Sequence, residues 1–304
     1  MPAAIETTDL TRQFGRTDAV VRLTMAVPAN SVFALIGPNG AGKTTTIKLL
    51  MNLLRPTRGT ARVLGCDART LGPRELQRIG YVSESQRLPA WMTPAQLLEY
   101  CRPFYPSWDE RLARSLHASL GLTTNAAIGT LSRGTRMKAA LLVSLAYRPD
   151  LIVLDEPFTG LDPLVRDELS RALVGASADR PATVLVSSHD VDEVERLADW
   201  IGYIDRGRLL FAEPTAALLS RFRLIEVLSD TASPARVQDP NWIVLGAEGR
   251  TLRFVDMAHS DADASRRVAA AFPGAEIRTS ALPLRDIFVT LAGRAAQPRT
   301  SESA

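Results

Sequence analysis

The sequence predicts an α/β fold in which a parallel β-sheet is covered by helices. The apolar run 31–36 is followed by a glycine-rich turn, and apolar residues then recur at helical spacing as far as Leu54, which gives the order strand, loop, helix. Two further short apolar runs, at 151–154 and 183–187, are typical of buried strands joined through helical stretches. Such alternation is characteristic of a parallel sheet with helical connections.

A helical subdomain is predicted inside this sheet domain. The segment 89–148 lacks strand-like runs and carries helical periodicity, for example at Leu112, Leu116 and Leu120. Downstream, the capping-box pattern at 190–193 predicts a helix that runs to about Ala198.

The character of the chain changes after the first 222 residues. We therefore expect two domains, 1–222 and 223–304, and the second is expected to be a small α+β unit. Its predicted strands lie at 224–228, 242–245 and 251–255, and its predicted helices at 264–272 and 284–291.

Composition and charge exclude several classes of protein. The 304 residues are 46% hydrophobic and 23% charged, which is ordinary for a globular chain. No run reaches the roughly 18 apolar residues of a membrane span, and the N-terminus lacks a secretory leader, so we expect a cytoplasmic location. The net charge is only +3 and the basic residues are spread out, which argues against nucleic acid as a partner. Cys66 and Cys101 have neither metal-ligand nor disulfide spacing.

The glycine-rich turn matches the phosphate-binding pattern G-x-x-x-x-G-K-[ST] and lies between a predicted strand and a predicted helix. Glycines let successive backbone N–H groups point at a phosphate, and the helix N-terminus adds a favourable field. A lysine supplies a compact charge to the β and γ phosphates, and the following threonine offers its hydroxyl to Mg²⁺. The nucleotide-binding candidates are Gly37, Pro38, Asn39, Gly40, Ala41, Gly42, Lys43, Thr44 and Thr45.

The predicted strand 151–154 ends in two carboxylates, Asp155 and Glu156, at the sheet edge where open α/β folds bind ligands. Asp155 is expected to hold Mg²⁺, and Glu156 to orient and polarise the attacking water. A strand that ends in Asp-Glu is often only the start of a loop. The pair gains its meaning from the phosphate loop, since buried carboxylates need a nearby cation.

With these motifs, residues 4–220 resemble the nucleotide-binding subunits of ABC transporters. The resemblance implies a P-loop NTPase (ABC ATPase) core with the inserted helical subdomain and the small C-terminal α+β domain. Leu131 to Thr135 stands where the family has its LSGGQ signature, at the start of a helix. Ser132 and Gly134 match this signature, whereas Arg133 replaces its first glycine and Thr135 its glutamine.

Three more positions follow from the resemblance. Asp162, in the sequence Gly-Leu-Asp, matches the loop that communicates between the two sites of a dimer. His189 matches the switch histidine that contacts the γ-phosphate. Phe14 is similar to the aromatic residue that stacks on adenine, with a place in the core as the alternative.

The Q-loop departs from the family pattern. Glu84 stands where the family usually has glutamine, and Gln86 follows two residues later. Either side chain could serve as the magnesium ligand, and the carboxylate is the stronger one.

The resemblance implies ATP and Mg²⁺ as cofactors, a second copy of the chain that completes two ATP sites, and a separate polytopic membrane permease. The chain would then lie at the inner face of the membrane. Trp91, Met92, Phe104, Tyr105 and Trp108 form either a docking surface for the permease or part of the core.

The tail is loosely similar to accessory domains of bacterial drug and polysaccharide exporters, which favours export; the alternative is a generic packing domain. Two other functions compete with transport. One is a soluble ABC ATPase that acts on ribosomes or nucleic acid, and the other is an ATP-binding switch that does not hydrolyse. A single cassette without a sustained heptad run disfavours the first, and the Asp155–Glu156 pair disfavours the second.

Overall fold

The computed structural model describes residues 2–122, 125–178, 180–229, 233–259 and 264–296. The chain forms two compact units, Met1–Ala212 and Glu213–Ala304. The sequence predicts a boundary after residue 222, whereas the observed boundary follows Ala212 and therefore lies earlier in the chain. The physical reason lies in Arg221, whose guanidinium pairs with Glu213 at 2.6 Å and donates a hydrogen bond to the carbonyl of Met257 at 2.9 Å. Both contacts lie within the second unit.

The first unit contains two sheets and their covering helices. Its elements, with the last strand crossing its end, are β1 (Ala3–Phe14), β2 (Thr17–Pro28), β3 (Val32–Ile36), α1 (Lys43–Leu50), β4 (Arg58–Val63), β5 (Cys66–Asp67), α2 (Pro73–Leu76), β6 (Ile79–Ser83), α3 (Pro94–Cys101), α4 (Glu110–Ser119), α5 (Arg133–Ala146), β7 (Leu151–Asp155), α6 (Pro163–Ala178), β8 (Thr183–Ser188), β9 (Trp200–Asp205) and β10 (Arg208–Pro214).

The central sheet has the strand order β10-β9-β3-β8-β7-β6. The pairs β3–β8, β3–β9, β6–β7 and β7–β8 are all parallel, as the sequence predicts for a sheet with helical connections. Strands β7 and β8 are buried along their whole length, which explains why they are continuous apolar runs rather than alternating ones.

A four-stranded antiparallel sheet, of order β2-β1-β4-β5, packs against this centre. One core cluster includes Ile5 and Leu23 from the antiparallel sheet, Phe33 and Leu185 from the parallel sheet, and Ile47 from α1. The helix that carries the glycine-rich loop is therefore held between the two sheets. Helices α3, α4 and α5 occupy the connection between β6 and β7, where the sequence predicts a helical subdomain.

The helix predicted from Asp190 is not formed. Residues 191–197 make a bend and turns instead. A capping box would direct the Glu193 carboxylate to the backbone N–H of Asp190. Instead, the hydroxyl of Ser188 accepts that N–H at 3.0 Å and itself lies 2.6 Å from Glu193. The Asp190 N–H and the Glu193 carboxylate, which would start the helix, are thus both hydrogen-bonded to Ser188 at the end of β8.

The second unit is α+β. It contains α7 (Thr215–Arg221), β11 (Arg223–Leu228), β12 (Trp242–Glu248), β13 (Thr251–Asp256), α8 (Ala264–Ala271), β14 (Glu276–Ala281) and α9 (Leu284–Ala296). The strands form an antiparallel sheet of order β12-β13-β11-β14 over a core that includes Ile225, Trp242, Phe254 and Phe272. Across both units, the described residues include no helix with the length and apolarity required to cross a bilayer.

Candidate active site

The glycine-rich loop is shaped by close backbone contacts at two of its glycines. A Cβ atom at Gly37 would lie 2.0 Å from the carbonyl oxygen of Ile204, and one at Gly42 would lie 2.4 Å from that of Ala19. Gly42 also has φ of +105°, a conformation that L side chains rarely adopt. Larger residues would push the loop away from β9 and β2, so these two positions need glycine.

Lys43 is the first residue of α1, and its side chain is buried under the loop. Its ammonium donates hydrogen bonds to the carbonyls of Gly37 at 2.6 Å and Pro38 at 3.1 Å. It also lies 3.1 Å from a carboxylate oxygen of Glu156. The glycine-rich loop and Glu156, which are predicted from separate motifs, therefore meet at the ammonium of Lys43.

Asp155 ends β7 and is joined to the loop by hydroxyl groups. The hydroxyls of Thr44 and Ser187 both donate to its Oδ1 atom, at 2.9 Å and 2.8 Å. Burial raises the pKa of Asp155, these hydrogen bonds partly oppose the rise, and the neighbouring charge of Glu156 adds to it. A cluster of oxygen atoms around one buried carboxylate suits a hard divalent cation.

Glu156 is held by contacts on both carboxylate oxygens. Oε1 faces Lys43, while Oε2 accepts from the Thr159 hydroxyl at 2.8 Å and lies 2.8 Å from Nδ1 of His189. Burial alone would raise the pKa of Glu156, but the hydrogen bond with His189 and the attraction of Lys43 hold this pKa below its ordinary value. The carboxylate is therefore ionised at neutral pH.

The backbone of Glu156 is strained. Its φ is +51°, which is unfavourable for a residue with a side chain. The hydroxyl of Ser187 accepts the buried Glu156 N–H at 3.0 Å and so supports this conformation. The two acids thus share one serine, which the sequence analysis did not single out. In the sequence, Ser187 could be recognised as part of the serine pair that ends the mostly apolar strand β8.

Ser132, Gly134 and Asp162 organise helix starts. Ser132 accepts the N–H of Thr135 at 3.1 Å and caps α5, and Asp162 accepts the N–H of Val165 at 3.0 Å at the start of α6. A Cβ atom at Gly134 would lie 3.2 Å from the Val165 side chain, so this glycine lets α5 approach α6 closely. Roles of these three residues toward nucleotide stay predictions.

Phe14 ends β1 and is 44% exposed, so the structure does not place it in the core. The guanidinium of Arg12 lies over its ring, 4.4 Å from the centroid. An aromatic face at the surface remains available for stacking.

The Q-loop side chains have local partners. The carboxylate of Glu84 lies 2.9 Å from the guanidinium of Arg133, and its backbone N–H donates to the Asp155 carbonyl at 3.0 Å. The side-chain oxygen of Gln86 accepts the N–H of Ser83 at 3.3 Å. The metal role of either residue stays a prediction.

The aromatic cluster of the helical subdomain divides into exposed and packed members. Trp91 is 77% exposed, and Phe104 is also exposed. The ring of Tyr105 stacks on buried Tyr147, with centroids 3.8 Å apart. The remaining members, Met92 and Trp108, are half-buried. The cluster is therefore divided between packed and exposed side chains, and its role as a docking surface stays a prediction.

Known proteins resemble this chain in sequence and fold. A sequence model of the ABC transporter family matches residues 20–159. The daunorubicin/doxorubicin resistance ATP-binding protein DrrA of Streptomyces peucetius is 38% identical over 222 residues, which cover 71% of this chain and 67% of that one. The bacitracin transport ATP-binding protein BcrA of Bacillus licheniformis is 32% identical over 225 residues, with 73% and 74% covered.

A solved structure described as the ATP binding subunit of an ABC transporter superposes with a TM-score of 0.64 at 26% identity, and covers 71% of this chain and 91% of that one. The segment that matches the family model contains the glycine-rich loop, the Q-loop, the signature helix and the acid pair.

Proposed function

Because this chain belongs to the family of ABC transporter ATP-binding proteins, we infer that it is the ATP-hydrolysing subunit of an exporter whose membrane-spanning part is a separate permease. The observation that carries the role of individual residues is the contact of Lys43 with Glu156, next to Asp155 and Thr44. This arrangement unites a phosphate-binding loop, a base and a cation site within one set of hydrogen bonds.

Lys43 and the backbone N–H groups of residues 39, 40 and 42–45 would bind the ATP phosphates, and Phe14 would stack on the adenine. Gly37 and Pro38 would shape the loop, because the Gly37 N–H donates to the Ser188 carbonyl and proline has no N–H. The Thr44 hydroxyl and the Asp155 carboxylate would hold Mg²⁺, because their oxygen atoms already lie 2.9 Å apart and are the ligand type that this ion prefers. Bound Mg²⁺ supplies neutralisation of phosphate charge. Ser187, which donates to the same carboxylate oxygen, fixes the orientation of Asp155.

Glu156 would accept a proton from the attacking water. Its lowered pKa keeps it ionised and ready to accept. His189 and Thr159 hold one carboxylate oxygen, so the carboxylate keeps a defined direction while Lys43 neutralises the other oxygen. His189, which already contacts this base, would also contact the γ-phosphate.

We further propose that two copies of the chain act together. Ser132 and Gly134 stand at the N-terminus of α5, where the helix dipole favours an anion, and the nucleotide they would contact is bound by the second copy. Asp162 would connect the two sites. No residue of this set needs a different protein to complete it, so a homodimer is sufficient.

The permease would dock on the helical subdomain and hold the chain at the inner face of the membrane. The exposed rings of Trp91 and Phe104 give this subdomain an apolar surface. Nearby, a cavity of about 400 Å³ between the sheet and the subdomain is lined by Tyr81, Leu97 and Tyr100, among others. We propose that an amphipathic helix of the permease docks on this surface.

Export is favoured over action on ribosomes or nucleic acid. The names of DrrA and BcrA refer to drug resistance and to bacitracin transport. The net charge of +3 is also small for a protein that tracks a phosphate backbone.

The test is the variant Glu156→Gln, compared with Glu99→Gln, at an exposed position of α3, as a matched control. Glu156→Gln should retain ATP binding and lose about 10²-fold to 10⁴-fold in turnover, because the amide cannot accept the proton. The control should hydrolyse like the wild type. Undiminished hydrolysis by Glu156→Gln would remove this residue from the base role. Failure of the wild type, with its permease, to bind Mg-ATP would overturn the whole proposal.

A further inference from the structure

Two positions where this chain departs from the family pattern contact each other. Glu84 stands in place of the Q-loop glutamine, and Arg133 stands in place of the first glycine of the signature. They are 49 residues apart in the chain, yet their charged groups lie 2.9 Å apart. The side chains are 46% and 43% exposed, so the pair is partly screened by water.

The charge of Arg133 is poorly placed within its own helix. Arg133 is the first residue of α5 after the Ser132 cap, and the first turn contains no acidic residue. A cation at a helix N-terminus opposes the helix dipole. The Glu84 carboxylate supplies the missing negative charge from another loop, so each side chain compensates for the other.

The pair also connects three segments of the site. The backbone N–H of Glu84 donates to the carbonyl of Asp155, at the end of β7. On the other side, a Cβ atom at Gly160 would lie 3.3 Å from Nη1 of Arg133, so the guanidinium lies directly against the loop that leads to Asp162. The Q-loop, the signature helix and this loop therefore meet at one guanidinium.

We propose that Arg133 is a positioning residue, whose ion pair with Glu84 sets the spacing between the Q-loop and the signature helix and commits the Glu84 carboxylate to α5 rather than to Mg²⁺. The proposal rests on the ATPase function proposed above. In this protein the Q-loop carboxylate is thus a structural link between the Q-loop and α5 rather than a ligand of the metal.

A binding experiment separates the link from a metal ligand. The affinity for ATP is measured with Mg²⁺ and with EDTA, by competition with a fluorescent ATP analogue, for the wild type and for Glu84→Gln, Arg133→Gln and Asp155→Asn. Asp155→Asn, the positive control, should change the ratio of the two affinities by about tenfold or more. Both Glu84→Gln and Arg133→Gln should leave the ratio within about twofold of the wild type, which is well below the effect of losing a metal contact.

A double-mutant cycle on turnover tests the link itself. Each single variant should lower kcat by about 1.4-fold to fivefold, the range for a partly exposed ion pair. The double variant should lower kcat by the same factor rather than by the product of the two, because the contact is lost only once. Arg133→Lys keeps the charge and should stay close to the wild type.

Two results would overturn the proposal. A change in the Mg²⁺ to EDTA ratio for Glu84→Gln as large as that for Asp155→Asn would make Glu84 a metal ligand. Single effects that multiply in the double variant would mean that the two residues act independently. A wild type that binds ATP but does not hydrolyse it would contradict the proposed function instead, and the binding experiment would still decide the role of Glu84.

Discussion

Ser187→Ala should damage the site more than its small change in volume suggests. The Ser187 hydroxyl is fully buried, donates to Asp155 Oδ1 at 2.8 Å and accepts the N–H of Glu156 at 3.0 Å. Alanine keeps almost the same volume, so the substitution removes these two hydrogen bonds without leaving a large cavity.

The expected loss of stability follows from the two bonds. A buried N–H left without an acceptor costs about 1–3 kcal/mol, and a hydrogen bond to a charged group contributes about 1.5–3 kcal/mol. Thr44 still donates to the same oxygen of Asp155, so the second contribution lies at its lower end. We expect a loss of about 2.5–4.5 kcal/mol in the free energy of unfolding.

Turnover should fall as well. Without the Ser187 acceptor, the Glu156 backbone loses the hydrogen bond that supports its φ of +51° and can relax toward a less strained conformation. A displacement of the carboxylate by about 1 Å can cost up to about 10²-fold in rate, so we expect kcat to fall by about tenfold to a hundredfold.

Calorimetry of the two-unit chain provides the assay. The relevant transition is the one that moves to higher temperature with added ATP, since a ligand stabilises the unit that binds it. Ser144→Ala is the matched control, because this buried serine in α5 makes a neutral hydrogen bond of 3.4 Å to the Tyr81 carbonyl. The control should cost less than about 1 kcal/mol. Equal destabilisation by the two variants would refute the reasoning that Ser187 supports both acids.

Two other predictions concern the binding of ATP. Gly37→Ala should abolish binding in a titration, because its Cβ atom would lie 2.0 Å from the Ile204 carbonyl, whereas Gly175→Ala in α6, with no atom within 4 Å, should leave binding intact; equal affinities would contradict the packing argument. Phe14→Ala should raise the KM for ATP by about twofold to tenfold with kcat unchanged, whereas Phe14→Tyr should retain the wild-type KM. An unchanged KM for Phe14→Ala would rule out stacking on adenine.

The parts of the site that are local in sequence could be predicted from the sequence. The glycine-rich loop carries its chemistry within nine consecutive residues, and Asp155 and Glu156 follow a strand that is apolar throughout. In both cases one short pattern contains the residues and the structural context that gives them meaning. The prediction of an α/β fold of the ABC ATPase type is confirmed by the family match and by the structural superposition.

Contacts between distant segments could not be predicted in this way. The ion pair of Glu84 and Arg133 joins the Q-loop to the start of α5, and the distance between them depends on how α5 packs against β6. The strand β14 was missed because its residues are mostly exposed and give no apolar alternation. The antiparallel sheet of the first unit, β2-β1-β4-β5, is not predicted for a related reason. Strand β1 pairs with β2 and β4 with several register shifts, and such irregularities interrupt the alternation of apolar and polar residues.

The order of strands in the sheet explains how the separate motifs become one site. Strand β8 follows β3 and β7 in the chain but lies between them in the sheet. Its register places Ser188 level with Ile36, the residue before the glycine-rich loop, and Ser187 level with Asp155. The Ser188 carbonyl accordingly accepts the N–H of Gly37 at 3.3 Å.

The same register places His189 beside Glu156. His189 directly follows β8 and reaches the Glu156 carboxylate at 2.8 Å, so the end of one central strand contacts the motifs of both neighbours. Side chains alternate between the faces of a strand, and a slip of β8 by one residue would turn Ser187 away from Asp155 and Glu156. The close packing of buried side chains of different size in β8 opposes such a slip. The positions of the Asp155 and Glu156 side chains therefore depend on the packing of β8, a strand that carries neither acid.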